Sequence, residues 1–514
     1  MKITINRMKA PVGPVAAIVL TGLFSYSCSI TDHDSMSSGL YGQNEYLGKQ
    51  LIDRQPGGDR FDKFTDNPFI KTADEKVSTF SVDADGASYA YMRRNLMEGR
   101  HPVKESVRIE EFLNYFTFDY EEPQDGKAVA INSEVGPCPW NETHHLLRLG
   151  IKGKSLPESE VPVANFVFLI DVSGSMDSND KLPLLQKSLT TMVDYLNPKD
   201  RIAIVTYAGG VQKLLASTPA SEASKIKAAI NSLSAYGSTA GGAGMKMAYE
   251  EALENFIKDG NNRVIMGTDG DFNVGVTSTD ELLEMVQNYA GKGIYLTVCG
   301  FGLGNLNDAM MEKISNKGNG TYHYIDSEGE MTKVFVNERA RFVAVANDGK
   351  AQVTFDPAMV ESYRLIGYEN RVLREEDFEN DKKDAGEIGA GQTVTALYEI
   401  VPGKDWGTRK PLAKFGFRYK EQLGGESVPL ESAVTTDDGS RLTPNLAFAA
   451  GIASYGMLLR HSEHAGNSTW DLACECVRKS LSPVDAAHEL PPYQVKLREE
   501  LIALIEKAKS IKSE

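Results

Sequence analysis

The chain has 514 residues, too many for one core; at about 150 residues per domain it divides into roughly three units. Hydrophobic residues make up 41% and charged residues 25%, which excludes disorder for the bulk of it. The net charge is −16 with no basic tract in the part expected to fold, which argues against nucleic acid and favours cations or basic partners.

Residues 1–27 read as an export signal. Lys2, Arg7 and Lys9 form a positive start, an apolar run from Val15 to Phe24 follows, and small residues precede Cys28. That run is too short for a permanent membrane-spanning helix. Ser25-Tyr26-Ser27-Cys28 resembles a bacterial lipoprotein cleavage box, with Ser25 where leucine is usual, a loosening similar to that of Bacteroidetes lipoproteins. The resemblance implies acylation of Cys28, and Ser29 beside it implies the outer membrane. Four cysteines remain: Cys138, Cys299, Cys474 and Cys476. None has zinc-site spacing. Cys299 sits in an apolar strand and reads as a core thiol. Cys474 and Cys476, two apart in a helix, point to different faces.

Residues 28–78 are polar, rich in Gly, Ser, Asp and Asn, and lack periodicity; they read as a tether, its ~50 residues spanning roughly 40 Å if flexible. Residues 79–127 (ASYAYMRRNLMEGR, VRIEEFLNYF) read as an N-terminal helical extension. In 128–160 the runs AVAINSEV and HLLRLGIKG alternate as strands. From 161 to 340, apolar strand runs (ANFVFLI, RIAIVTYA, NRVIMGT, GIYLTVCGF, TYHYI) interleave with helical stretches. This pattern predicts an α/β unit, a doubly wound and mostly parallel sheet covered on both faces. GGVQKLLAS reads as an antiparallel edge return. Residues 343–435 are β again, and 443–514 are helical. Neither β segment alone has strands enough for a covered sheet, so 128–160 and 343–435 are expected to pair as one β-sandwich. The α/β unit would then be an insertion between its strands, with adjacent ends.

The stretch FLIDVSGSMDS ends a buried strand on oxygens. Alternation puts Asp171, Ser173 and Ser175 on one side of the backbone, at the carboxyl end of the strand, where open α/β sheets bind ligands. The loops Tyr236–Gly242 and Gly267–Gly270 bring further oxygens to that end. Two aspartates and several hydroxyls would neutralise a divalent ion while leaving a coordination position free, and all-oxygen donors suit Mg2+ or Mn2+.

DVSGSM, Thr239 in GSTAGGAG, and TDGDFNVG resemble the metal-ion-dependent adhesion site of the von Willebrand factor type A domain, over roughly residues 161–340. The resemblance implies that Ser173 and Ser175 ligate the metal through their hydroxyls. It implies that Asp171 and Asp269 bind directly or through water, and Thr239 directly or through water according to conformational state. STFSVDADGASYAYMRRNL, TDGDFNVG and GAGQTVTALYEI extend the likeness to a bacterial subgroup of exported proteins. In these the A domain lies between an N-terminal extension and a C-terminal domain of uncharacterised function.

A helix cap at Asp171 would account for one loop but not for three. Asp269, Asp271 and Asn273 imitate an EF-hand start, yet the glycine falls at 275 rather than 274 and a strand precedes the loop. Asp83 and Asp85 in VDADGA read as an exposed turn, and His144 and His145 as residues alternating across a strand. A haloacid-dehalogenase phosphatase would need an acid where Ser173 stands, and no nucleophile elbow surrounds these residues. The expectation is a lipid-anchored protein of the bacterial cell envelope, on the periplasmic or surface face of the outer membrane, and not an enzyme. It would bind a protein partner whose Asp or Glu carboxylate completes the metal's coordination. The alternatives are a structural surface lipoprotein with an architectural metal and a metal-dependent phosphohydrolase.

Overall fold

The computed structural model describes residues 58–237, 241–270, 278–408, 410–436, 441–481 and 490–512. The export segment, Cys28 and the tether as far as residue 57 lie outside the described residues, as do Thr239 and the loop 271–277 with Asp271 and Asn273.

The α/β unit holds a six-stranded sheet in the order Tyr322–Ile325, Ile294–Phe301, Asn261–Thr268, Ala164–Asp171, Arg201–Tyr207, Val211–Pro219. Neighbours are parallel except the last pair, so GGVQKLLAS does return as an antiparallel edge. Every residue of Ala164–Asp171 and of Asn261–Thr268 is buried, as strands covered on both faces must be. Phe166, Phe168 and Ile170 enter one core with Leu185, Leu189 and Ile226, while Val167 and Leu169 enter the other with Met245, Leu282 and Ile314. The chain leaves Ala164–Asp171 on one side and later returns to its other side at Asn261–Thr268. The gap between those two carboxyl ends is the topological switch point.

Two antiparallel sheets make the sandwich. One runs Ile70–Lys71, Val360–Ile366, Thr393–Pro402, His145–Gly153, Val129–Pro137; the other runs Val372–Leu373, Val77–Ser81, Ala344–Phe355, Ala413–Lys420, Ser427–Val434, with Gly386–Gly389 added to Ala344–Phe355. Both inner faces share one core, in which Phe80, Val353 and Phe415 of the second sheet meet Leu147, Val394 and Tyr398 of the first. The two ends of the α/β insertion are adjacent. Gly391 N–H donates to the Lys154 carbonyl (3.0 Å) and Ala390 N–H to the Val343 carbonyl (2.8 Å), so one turn holds entry and exit.

Three expectations need correction. Residues 58–78 are not tether: Ile70–Lys71 and Val77–Ser81 are strands in both sheets, too short and too isolated in sequence to show a period. For the same reason the extension at 79–127 begins with strand residues rather than helix. Asp83 and Asp85 are buried rather than exposed. Asp83 pairs with Arg371 at 3.1 Å, and Asp85 accepts the Tyr322 N–H at 2.8 Å. Both partners lie more than two hundred residues away, so the local composition reads only as a turn.

The helices at the two ends of the described chain form one layer. Tyr89, Met92 and Leu96 of Ala87–Met97 share a core with Pro444–Leu459, Trp470–Lys479 and Pro492–Ser510, against Leu146 and Leu397 of the first sheet. The opposite stripe of Ala87–Met97 (Ala87, Ala90, Tyr91) belongs to the α/β core. Helical spacing thus lets one helix serve two cores. Arg93 reinforces the joint through Asp326 at 2.6 Å and Glu330 at 2.7 Å. Pro444–Leu459 is apolar nearly all round and almost wholly buried, as a central helix should be. Cys474 Sγ faces the Ile502 carbonyl while Cys476 lies against Gly451, so the two do diverge. Cys299 is buried in its strand. His144 bonds Glu399 at 2.5 Å and His145 lies against the Trp406 ring.

Two stability predictions follow from this packing. A Cβ at Gly456 would lie 2.7 Å from Ile109 Cγ1, so Gly456→Ala should cost about 1–3 kcal/mol by overpacking. Chemical denaturation measures it, and an unchanged midpoint would contradict the close approach. Glu110 is buried, and its carboxyl is pushed up to about 8, first by burial and then by Glu369 and Asp83. Between the ordinary value of 4.5 and about 8 the folded chain holds a proton that the unfolded chain has lost, so this group lowers stability as pH rises through that window. Glu110→Gln removes the dependence. Its melting temperature relative to the parent should rise by at least a few degrees from pH 5 to pH 8, and parallel curves would refute this.

Candidate functional site

The site lies at the switch point of the α/β sheet. The strand Ala164–Asp171 delivers Asp171 with no exposed surface. Beyond it the chain turns, because the Asp171 Oδ1 accepts the Ser173 N–H at 2.8 Å, a local bond that competes with strand continuation. A short turn, Gly174–Asp177, follows. It brings the Ser173 and Ser175 hydroxyl oxygens to 3.0 Å of each other, with Ser173 buried and Ser175 exposed. Carboxylate and first hydroxyl form the floor, and the second hydroxyl stands at the mouth.

The neighbouring loops are tied to this turn through their backbones. Tyr236 N–H donates to the Val172 carbonyl (2.6 Å) and Gly174 N–H to the Gly237 carbonyl (3.1 Å). These bonds bracket Ser173 and fasten the loop that continues to Thr239, itself outside the described residues. The third loop leaves Asn261–Thr268 with Asp269 fully buried. Thr268 Oγ1 donates to Asp171 Oδ2 at 3.3 Å and accepts Gly270 N–H at 3.1 Å. Gly270 has φ +96°, and a Cβ there would come within 2.7 Å of Leu306 Cα; glycine is required both for the turn and for the approach.

The two carboxylates differ electrostatically. Burial pushes Asp171 up to about 6, with the charge of Asp269 adding to the rise against hydrogen bonds from Ser173 and Tyr207. Burial would also raise Asp269, but hydrogen bonds from Asn305, Lys181 and Ser175, with the charge of Lys181, outweigh it and hold this carboxyl below its ordinary value. Lys181 Nζ donates to Asp269 Oδ2 (2.9 Å), the Ser175 carbonyl (3.0 Å) and Asn305 Oδ1 (3.1 Å). The structure therefore brings Asp171, Ser173, Ser175 and Asp269 together as the sequence implied, and adds Lys181, Thr268 and Asn305. Only a lysine ten residues after Asp171, at a helix start, could have hinted at the addition.

The loop carrying Asn305 is strapped by the first described residues. Asp59 Oδ1 accepts Gly304 N–H (2.7 Å) and Leu306 N–H (2.9 Å), and Tyr91 Oη donates to Asp59 Oδ2 at 2.8 Å. Among the described residues no group of three His, Cys, Asp or Glu side chains forms a cation site. This site depends on two carboxylates with hydroxyls, all of them hard oxygen donors of the kind Mg2+ and Mn2+ take. The donor set fits such an ion. Asp171, Ser173, Ser175 and Asp269 are the residues that would hold it.

Residues 165–337 match the von Willebrand factor type A domain family, residues 55–148 a further von Willebrand factor family, and residues 340–415 and 404–511 the family described as the C-terminal part of the uncharacterized protein YfbK. The uncharacterized protein YfbK of Escherichia coli K12 is 41% identical over 441 residues, covering 81% of this chain and 76% of the relative. Human inter-alpha-trypsin inhibitor heavy chain H3 is 29% identical over 178 residues, 32% of this chain and 20% of the relative. Among solved structures, a von Willebrand factor type A protein from Catenulispora acidiphila is 16% identical, covers 74% of this chain and 98% of its own, and has a TM-score of 0.41. BatB from Bacteroides thetaiotaomicron is 21% identical, with 35% and 98% covered and a TM-score of 0.31. Domains of the type A family commonly mediate protein interaction and often bind a divalent metal. With its α/β unit matched by the type A model and a relative aligned over most of both chains, the protein belongs to the YfbK family of von Willebrand factor type A proteins, whose C-terminal domain is uncharacterised.

Proposed function

We propose that this protein is an extracytoplasmic lipoprotein whose metal-ion-dependent adhesion site binds a protein partner through a divalent cation, Mg2+ or Mn2+, and that it is not an enzyme. The observation that carries the reading is the convergence of Asp171, Ser173, Ser175 and Asp269 at one switch point, with carboxylates on the floor and Ser175 at an exposed mouth. The serines offer neutral oxygens, so two aspartates are the only negative charges those ligands bring. A bound divalent ion would supply an electrophilic position for an incoming Asp or Glu carboxylate. The buried floor lowers the local dielectric and strengthens that attraction. Thr239 would join the ligands when a partner is engaged, and Cys28, acylated, would hold the chain to the outer membrane. Ser173 cannot act as a general acid near neutral pH, which favours a binding module over a phosphohydrolase.

If the ion binds only the folded chain, Mg2+ at a hundredfold excess over its dissociation constant should stabilise it by about 2.7 kcal/mol. Melting temperature against Mg2+ and Mn2+ concentration measures this. Asp171→Ala should abolish both the shift and partner capture from native membranes. Ser173→Ala and Ser175→Ala remove an oxygen but no charge and should weaken the shift more mildly. Thr239→Ala should keep the shift while impairing capture, and Asp271→Ala should change little. Stabilisation without chelator-sensitive capture would indicate an architectural metal; an Asp171→Ala variant indistinguishable from the parent would end the adhesion-site reading.

A further inference from the structure

We propose that Lys181 is a built-in counter-cation of this site, which neutralises Asp269 and thereby sets how tightly the site takes a divalent ion. The proposal rests on the adhesion-site reading and concerns its regulation. Four observations carry it. Lys181 and Asp269 form an ion pair at 2.9 Å in which the lysine side chain is nearly buried and the aspartate wholly so. The ammonium has two further acceptors, the Ser175 carbonyl and Asn305 Oδ1, which together with Asp269 match its three protons. Its root is fixed at the residue preceding the helix Leu182–Val193. Its stem crosses Gly302, where φ is +69° and any side chain would overlap the lysine methylenes. The backbone at 302 is shaped around this one side chain.

Charge then decides the effect. Asp171 and Asp269 together carry two negative charges, matched to a divalent ion, and Lys181 leaves only one of them uncompensated. Closely placed like charges repel even at water's dielectric constant, so an incoming dication must overcome the ammonium. Asn305 and the Ser175 carbonyl let Lys181 release Asp269 without being left unpartnered. Asn305 itself sits in the loop strapped by Asp59, so the acceptor set is rigid on both sides. The lysine thus keeps the acidic floor stable without an ion, at the expense of metal affinity.

The test uses the full chain with MgCl2 and MnCl2 as probes. Isothermal titration calorimetry should show Lys181→Met, which keeps an unbranched stem over Gly302, binding the ion about tenfold or more tightly than the parent. Its melting temperature in chelator should fall, because the buried Asp269 then loses the attraction of the Lys181 ammonium while Asp171 still repels it. Lys181→Arg keeps the charge and should not show the tightening; Lys181→Gln serves in place of the methionine variant if the latter fails to fold. Folded Met or Gln variants that bind the ion no more tightly than a parent that does bind it would overturn the counter-cation while leaving the adhesion site intact. If neither parent nor variants bind either ion, both readings fall. Binding seen only once Lys181 is neutralised, and lost again on adding Asp171→Ala, would support both.

Discussion

Two aspartates buried side by side at the ends of adjacent parallel strands are the constraint around which the α/β unit is arranged. Like charges in a poorly solvated place repel, and four neighbouring groups offset that repulsion. Asp171 is held by the Ser173 amide and the Thr268 hydroxyl, Asp269 by Lys181 and Asn305. Gly270 and Gly302 let the backbone come close to the loop that carries Asn305 and to the Lys181 stem. The site is therefore not a group of ligands on a loop but the electrostatic end of the sheet, where the order of strands reverses.

The rest of the chain builds outward from a second constraint, the need to cover more than one core. A sheet whose two faces are already clothed in helices has little left to bury, so its attachment to the sandwich and helical layer must come from shared elements. The helix Ala87–Met97 is one, with a stripe in each of two cores. The segment 58–62 is another, since Asp59 and Arg60 bond the loop 304–308 just before the chain enters the first sheet at Ile70. Charge pairs of Arg108 with Asp308 and of Arg371 with Glu312 seal the same seam at the helix Asp308–Lys317. They fix which surfaces meet more than how strongly, because desolvation offsets much of their attraction.

What the sequence by itself determined is what local periodicity and short motifs encode. Fully buried parallel strands read as continuous apolar runs, so ANFVFLI, NRVIMGT and GIYLTVCGF were legible, as was the antiparallel edge GGVQKLLAS and the deficit of strands that forced the two β segments to pair. Asp171, Ser173, Ser175 and Asp269 were legible because each sits where a strand ends. Tertiary structure alone decided the rest. Ile70–Lys71 and Val77–Ser81 become strands only because Tyr363 and Val353 offer edges from nearly three hundred residues away. Asp83 and Asp85 turn inward only because Arg371 and Tyr322 arrive to receive them. Lys181 looks like an ordinary charge at a helix start until the Gly302 and Asn305 loop closes over it. Periodicity reports which face of an element is apolar, whereas the partner of a buried charge is set by where distant chain lies, and no spacing within a single segment carries that information.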